Sequence, residues 1–349
     1  MSFRGDLERM AGWCGQIDGV AFVDELREAE LGAIVWLQQW PEAVRPVLEL
    51  VSVFGADAFF LLCLPVLYWC VNPAFALRLG LTVLLAAAVN AIAKLAFHQP
   101  RPYWIDARVR AISVEDSFGM PSGHAQTGTA ALGRVAGEVG RPWAWVTAGA
   151  VIALVCLSRV YLGVHFISDV VVGVALGAAV LVVVGKAERP AVTWWRGQAL
   201  WAQLGVSVLL SGALIGAALL ANAPYAGWTR PRAWGPAGMV DPGSLETVVV
   251  MSGVLLGTLA GASIMYRLGW FDAGGPPAVR TARWALGMTV ALLIWYAERE
   301  VLPETLAATY VSYALLTLWV QVGAPLLFIK LGLMSPARRR RPVPHEVAR

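Results

Sequence analysis

The sequence predicts an all-α integral membrane protein, a helical bundle of about nine transmembrane spans with an amphipathic N-terminal segment. Three observations carry that expectation. Of the 349 residues, 58% are hydrophobic and only 14% are charged. Mean hydropathy is +0.63, and long apolar runs recur about every thirty residues, which a soluble core does not require. Sixteen tryptophans fit the same setting, because indole prefers the headgroup level.

Residues 1–47 read as an interfacial segment. Phe3, Leu7, Met10, Trp13 and Ile17 fall at helical spacing with Arg4, Asp6, Glu8 and Arg9 between them, the pattern of a helix lying on a bilayer or packed on the protein's own mouth. No long apolar run follows a basic stretch here, so no cleaved signal peptide is expected. The spans are read near 48–71, 75–96, 123–139, 143–158, 166–185, 200–221, 245–266, 283–297 and 309–333. The runs at 143–158 and 283–297 are short and need tilt or local thinning of the bilayer. Residues 48–186 hold five spans and every chemical motif, and 187–349 hold four spans and a basic tail. The stretch Lys186 to Gly197, with Pro190, is the expected joint. No internal repeat or low-complexity segment is evident.

Orientation follows from the basic residues. With nine spans, the loops at 95–122, 159–165, 222–244 and 298–308 share one side with the N-terminus. The other side carries Arg78, Arg134, Arg141, Lys186, Arg189, Arg196, Arg267, Arg280, Arg283 and the run Arg338 to Arg341, an excess that places it in the cytoplasm. The motifs then face periplasm, cell exterior or organelle lumen, in a bacterial inner membrane or an organelle membrane. The arginine run reads as a solvated stop-transfer tail. Cys63, Cys70 and Cys156 lie within spans and Cys14 near the N-terminus, with no CxxC pair and no disulfide framework. No metal or other cofactor is expected, because neither motif histidine has a ligand partner at metal-site spacing. The expected partners are the bilayer and a substrate, not a nucleic acid; oligomeric state is not specified by the sequence.

Three short stretches carry the chemistry. Lys94 ends a span and Arg101 follows it, just before Pro102, which ends any helix and fixes a turn that can aim the guanidinium back toward the mouth. Either cation alone would pass for ordinary snorkelling. Pro121-Ser122-Gly123-His124 begins a span: free N–H groups at a helix start bind anions, Gly123 allows close approach and the Ser122 hydroxyl adds a donor. Read by itself, the tetrapeptide is also a plain helix cap. Arg159 ends one span, His165 opens the next, and Asp169 lies one helical turn further on the same face. A carboxylate there can accept the Nδ1 proton of His165 and leave Nε2 free to attack phosphorus. A lone Asp in a span is otherwise costly. Together these are the parts needed to bind a phosphate dianion, attack it and protonate the leaving oxygen.

The three motifs resemble the signature of the type 2 phosphatidic acid phosphatase superfamily, over about residues 48–186. The resemblance implies that His165 is the nucleophile forming a phosphohistidine, Asp169 orients it, and His124 protonates the leaving alcohol. It implies that Lys94, Arg101, Ser122, Gly123 and Arg159 hold the phosphoryl oxygens without a metal. Arg101-Pro102-Tyr103-Trp104 looks like glucose-6-phosphatase, whereas Gly119-Met120 looks more like the sphingosine-phosphate and dolichyl diphosphate phosphatases. The expected function is hydrolysis of a lipid phosphate or diphosphate at the outer membrane face. The alternatives are a soluble sugar phosphate as substrate and phosphoryl transfer to an alcohol. A lipid-phosphate transporter is the weaker reading, because transport needs no His–Asp pair.

Overall fold

The structure, a computed structural model, describes residues 25–235, 241 and 243–337. Its elements in chain order are helices α1 (25–37), α2 (Arg45–Ser52), α3 (Asp57–Cys70), α4 (Pro73–Phe97), α5 (Pro102–Ile105), α6 (Gly123–Val139), α7 (Pro142–Tyr161) and α8 (Ile167–Gly197). They continue with α9 (Leu200–Asn222), α10 (Glu246–Leu268), α11 (Pro277–Val301), α12 (Leu306–Leu318) and α13 (Ala324–Lys330). The two-residue strands β1 (Phe271–Asp272) and β2 (Ser335–Pro336) pair antiparallel. The chain is an all-α integral membrane protein. Among the described residues six helices are long and apolar enough to cross a membrane, and the bent pair α2 and α3 would make a seventh.

Several expected spans differ from the observed helices for physical reasons. The run near 48–71 is broken between α2 and α3, where Gly55 lies against the start of α6: a methyl there would stand 2.7 Å from the His124 carbonyl oxygen. The run at 123–139 is α6, which at 17 residues stands at the lower end of the length that crosses a bilayer, with Gln126, Thr127 and Thr129 buried along it. The run at 283–297 belongs to α11, whose ends carry Arg280, Arg283, Glu298 and Arg299. The run at 143–158 is longer than expected, a full 20-residue helix. Lys186 to Gly197 is no break in the chain but the end of α8, which turns only at Gln198.

Residues Phe3 to Ile17 and Arg338 to Arg341 lie outside the described residues. The described part of the N-terminal segment packs on the protein itself. Leu31, Ile34 and Leu37 of α1 are buried in a cluster with Tyr103, Trp104, Phe118, Tyr161 and Phe166, an apolar stripe at helical spacing.

Small residues let the central helices approach closely. A methyl on Gly173 would stand 2.6 Å from the Ser122 carbonyl oxygen, and one on Gly177 would stand 2.4 Å from that of Gln126. This is the small-xxx-small packing that dispenses with side chains at a membrane helix contact. It fixes α8 against α6, so that His165 just before α8 and His124 in the first turn of α6 come to the same end of the bundle. At the opposite end of the bundle, buried Arg283 donates to the carbonyls of Trp69, Ala273, Gly274 and Leu333. That places the described C-terminal residues away from the motif loops. Between α12 and α13 the chain widens to a π-turn at Trp319–Gly323. Pro325 has no N–H for the Gln321 carbonyl, and the Tyr68 hydroxyl donates to it instead at 3.1 Å.

Candidate active site

Each motif cation and histidine sits at a helix end, so the ends bring them together. α4 stops at His98, which takes a left-handed conformation (φ 48°) and caps the Lys94 carbonyl. Lys94 Nζ donates to Ser117 Oγ at 2.7 Å. Arg101, fully buried, donates to the carbonyls of Ser117, Val164 and Phe118 and to Ser117 Oγ. Its Nη1 also lies 3.4 Å from His165 Nε2. It thus knits the loop before α6 to the turn before α8.

His165 is 1% exposed, with Nδ1 3.3 Å from Asp169 Oδ2. The same carboxylate oxygen accepts the Phe166 N–H at 3.0 Å. A guanidinium only donates, so the Nη1 contact makes Nε2 an acceptor and puts the imidazole proton on Nδ1, facing Asp169. Burial, reinforced by Arg101, Arg159 and Lys94, holds His165 well below its usual value. The ring is therefore neutral, with its lone pair on Nε2, the form a nucleophile requires.

A cavity of about 170 Å³ opens in front of these groups, lined by Lys94, Gly123, His124 and His165. Asn90, Glu115, Asp116, Ser117 and Thr127 complete its polar wall. Arg159 stands beside it, donating to Ser52 Oγ at 2.9 Å and pairing with Glu115. Ser122 is fully buried at the start of α6, its N–H on the Asp169 carbonyl. Among the described residues, two buried groups here find no hydrogen-bond partner, Ser122 Oγ and Arg159 Nε. Such orphans are costly unless a ligand meets them. Among the described residues no three His, Cys, Asp or Glu side chains converge as a metal site would require.

All eight residues expected from the motifs therefore meet at one place. The sequence reading missed Asn90, whose amide donates to the Pro121 carbonyl at 3.1 Å and to Gln126 Oε1 at 2.9 Å. It also missed Glu115 and the wall supplied by Ser244, Thr247, Val248 and Met251 at the start of α10. Asn90 had a signal, an amide in an apolar run one turn before Lys94. The α10 residues had none.

Residues 75–191 match the PAP2 superfamily, and residues 249–338 match the PAP2 superfamily phosphatase, transmembrane extension. The chain belongs to the PAP2 superfamily. The matched stretches hold the three motifs and then α10 to β2, so the extension contributes Met251 to the cavity wall. Among relatives of this PAP2 chain, sphingosine-1-phosphate phosphatase 2 of Homo sapiens is 31% identical over 140 residues, 38% of this chain and 34% of the relative. Sphingosine-1-phosphate phosphatase 1 of Rattus norvegicus is 29% identical over 136 residues, 37% and 31% of the two chains. The chain spans about a third of the length of the curated relatives it matches. A solved PAP2 type phosphatidylglycerolphosphate phosphatase from Bacillus subtilis is similar with a TM-score of 0.41 at 23% identity, over 48% of this chain and 87% of that one.

Proposed function

We propose that this PAP2 chain hydrolyses a lipid phosphate or diphosphate through a phosphohistidine on His165, at the outer face of a membrane it crosses nine times. The observation that carries the reading is the neutral, oriented His165 facing a cavity with His124 and Lys94, beside an unpartnered Ser122 hydroxyl and Arg159 Nε. A phosphate bound there would take its oxygens to Lys94, Arg159, the Ser122 hydroxyl and the N–H groups opening α6 at Gly123, with Arg101 close to Nε2. Nε2 attacks phosphorus while Asp169 holds the Nδ1 proton. The bond to the ester oxygen breaks, and His124 gives that oxygen a proton; the dianion in the cavity favours the imidazolium form of His124 that this step needs. Water, its proton returned to His124, then attacks phosphorus and frees His165 and inorganic phosphate.

A lipid substrate is favoured over a soluble sugar phosphate by the cavity's setting. It has room for a phosphoryl group and the first atoms of its ester, and Ala87, Ala91, Leu95, Val248 and Met251 give it an apolar side toward the bundle. The similarity to sphingosine-1-phosphate phosphatases makes sphingoid phosphates the first substrates to assay. The test is His165→Ala, which should abolish phosphate release, beside Asp169→Asn, which should bind substrate near normally but turn over roughly 10³–10⁴-fold more slowly, as a mis-set imidazole does. Acid-labile phosphate should be trapped on the wild-type protein and not on the His165→Ala protein. Turnover by His165→Ala protein would end the proposal.

A further inference from the structure

Glu30 lies in α1, outside all three motifs, and is 5% exposed. Both its carboxylate oxygens serve one residue: Oε1 accepts the Ser168 N–H at 2.6 Å and Oε2 accepts the Ser168 hydroxyl at 3.0 Å. Among the described residues no ion pair includes it. Burying a carboxylate is expensive even when its lone pairs are met, and the start of α8 supplies a reason. The N-cap of α8 is Phe166. A phenyl ring has no acceptor, so the first-turn N–H groups that a Ser or Asp cap would engage are left to other partners. Asp169 takes the N–H of Phe166, and Glu30 takes that of Ser168. Asp169 is the next residue in that turn, and its Oδ2 also faces His165 Nδ1.

α1 is anchored for this task on both sides of Glu30. Arg27 donates to Gln99, whose own carbonyl accepts from Gly119. Gln38 donates to the carbonyls of Arg110 at 2.9 Å and Tyr161 at 3.0 Å. α1 and the residue that follows it thus touch the segment before Arg101, the loop before α6 and the turn before His165.

We propose that Glu30 is a positioning residue for the reaction: it caps α8 from a separate helix, fixes the first turn of α8, and so holds Asp169 against His165. The inference rests on the phosphatase reading and refines it. Glu30 acts through Asp169 and does not touch substrate.

The test uses the full chain with Glu30→Ala, Glu30→Asp and Glu30→Gln. Each is assayed for kcat and KM on a lipid phosphate and for inhibition by orthovanadate and by inorganic phosphate. Vanadate, as a trigonal-bipyramidal mimic, needs Nε2 in place, whereas inorganic phosphate mainly needs the cations. Glu30→Ala should lower kcat and weaken vanadate inhibition by roughly ten- to a hundredfold, with KM and phosphate inhibition within about twofold of wild type, as loss of an orienting partner does. Glu30→Gln should recover most of the loss, because its amide oxygen can still accept the Ser168 N–H. Glu30→Asp, one methylene too short for both contacts, should behave like Ala and stands in for it if the Ala protein does not fold. Unchanged kcat in both Ala and Asp variants would overturn the role, as would vanadate and phosphate inhibition weakening in parallel, the mark of a merely loosened site. A wild-type chain that releases no phosphate overturns the phosphatase reading itself, an outcome seen without any variant.

Discussion

Glu115 places a carboxylate among the cations of the site. It pairs with Arg159, lines the cavity and competes with any anion that enters. Burial pushes its carboxyl upward, but Arg101 and Arg159, joined by His124 and Lys94, outweigh this and hold it below the usual range. It is therefore ionised at and above its ordinary value of about 4.3 and loses its charge only as pH falls through the lowered one. Glu115→Gln should tighten inhibition by inorganic phosphate by about three- to tenfold, the worth of removing one like charge in a half-buried site. The ratio between variant and wild type should stay constant from about pH 8 to pH 5, since Glu115 is charged throughout that window. A Gln variant that binds phosphate no better would show that Glu115 does not compete for Arg159. At this scale the sequence revealed much of the site, because Lys94, Arg101, His124 and His165 each stand at a helix end in a contiguous motif. It hid Glu115 and Glu30, whose partners lie 44 and 138 residues away and are supplied by folding alone.

α10 shows what an element can do without any motif of its own. Residues 187–349 hold no catalytic constellation in sequence, yet α10 opens onto the cavity with Thr247, Val248 and Met251. Its seat is set by glycines: a methyl on Gly253 or Gly257 would stand 2.4 Å or 2.5 Å from the carbonyl oxygens of Tyr310 and Ala314 in α12. α10 thus packs on α12 on one side while it lines the cavity on the other, where under the proposed function it would meet the part of the substrate beyond the phosphate. Met251→Trp should narrow this wall and raise KM for long-chain phosphates by roughly tenfold, the worth of a methylene or two in an apolar pocket. Inhibition by inorganic phosphate should stay unchanged. Equal effects on both would mean that the cations had moved. Helix existence was legible from apolar runs, whereas boundaries were lost where a tertiary contact meets a run, as at Gly55 against α6 and at the end of α8, where the Trp195 indole donates to Ser263 Oγ of α10.

At the scale of the whole molecule, the motif loops and the described C-terminal residues lie at opposite ends of the bundle. The motif loops gather at one end of the bundle, and Arg283 gathers Trp69, β1 and the residues before β2 at the other. Arg78 and Arg134, expected on the far side, are there partly matched by Glu138 and Glu188, but orientation follows Lys and Arg counts more than net charge. The motif end should therefore face outward, with the described C-terminal residues in the cytoplasm. In a cysteine-free background, a cysteine at Ser113 should react with an impermeant thiol reagent on intact cells, and one at Ala337 should react only after the membrane is opened. The reverse pattern would put the reaction on the cytoplasmic leaflet. Sidedness also bears on substrate, because an outward mouth at the headgroup level can receive an amphiphile whose tail never leaves the bilayer. Long-chain phosphates in vesicles should then be hydrolysed far more efficiently than short water-soluble ones. If the two are hydrolysed equally well while the labelling holds, the cavity takes its substrate from water, and a soluble sugar phosphate replaces the lipid.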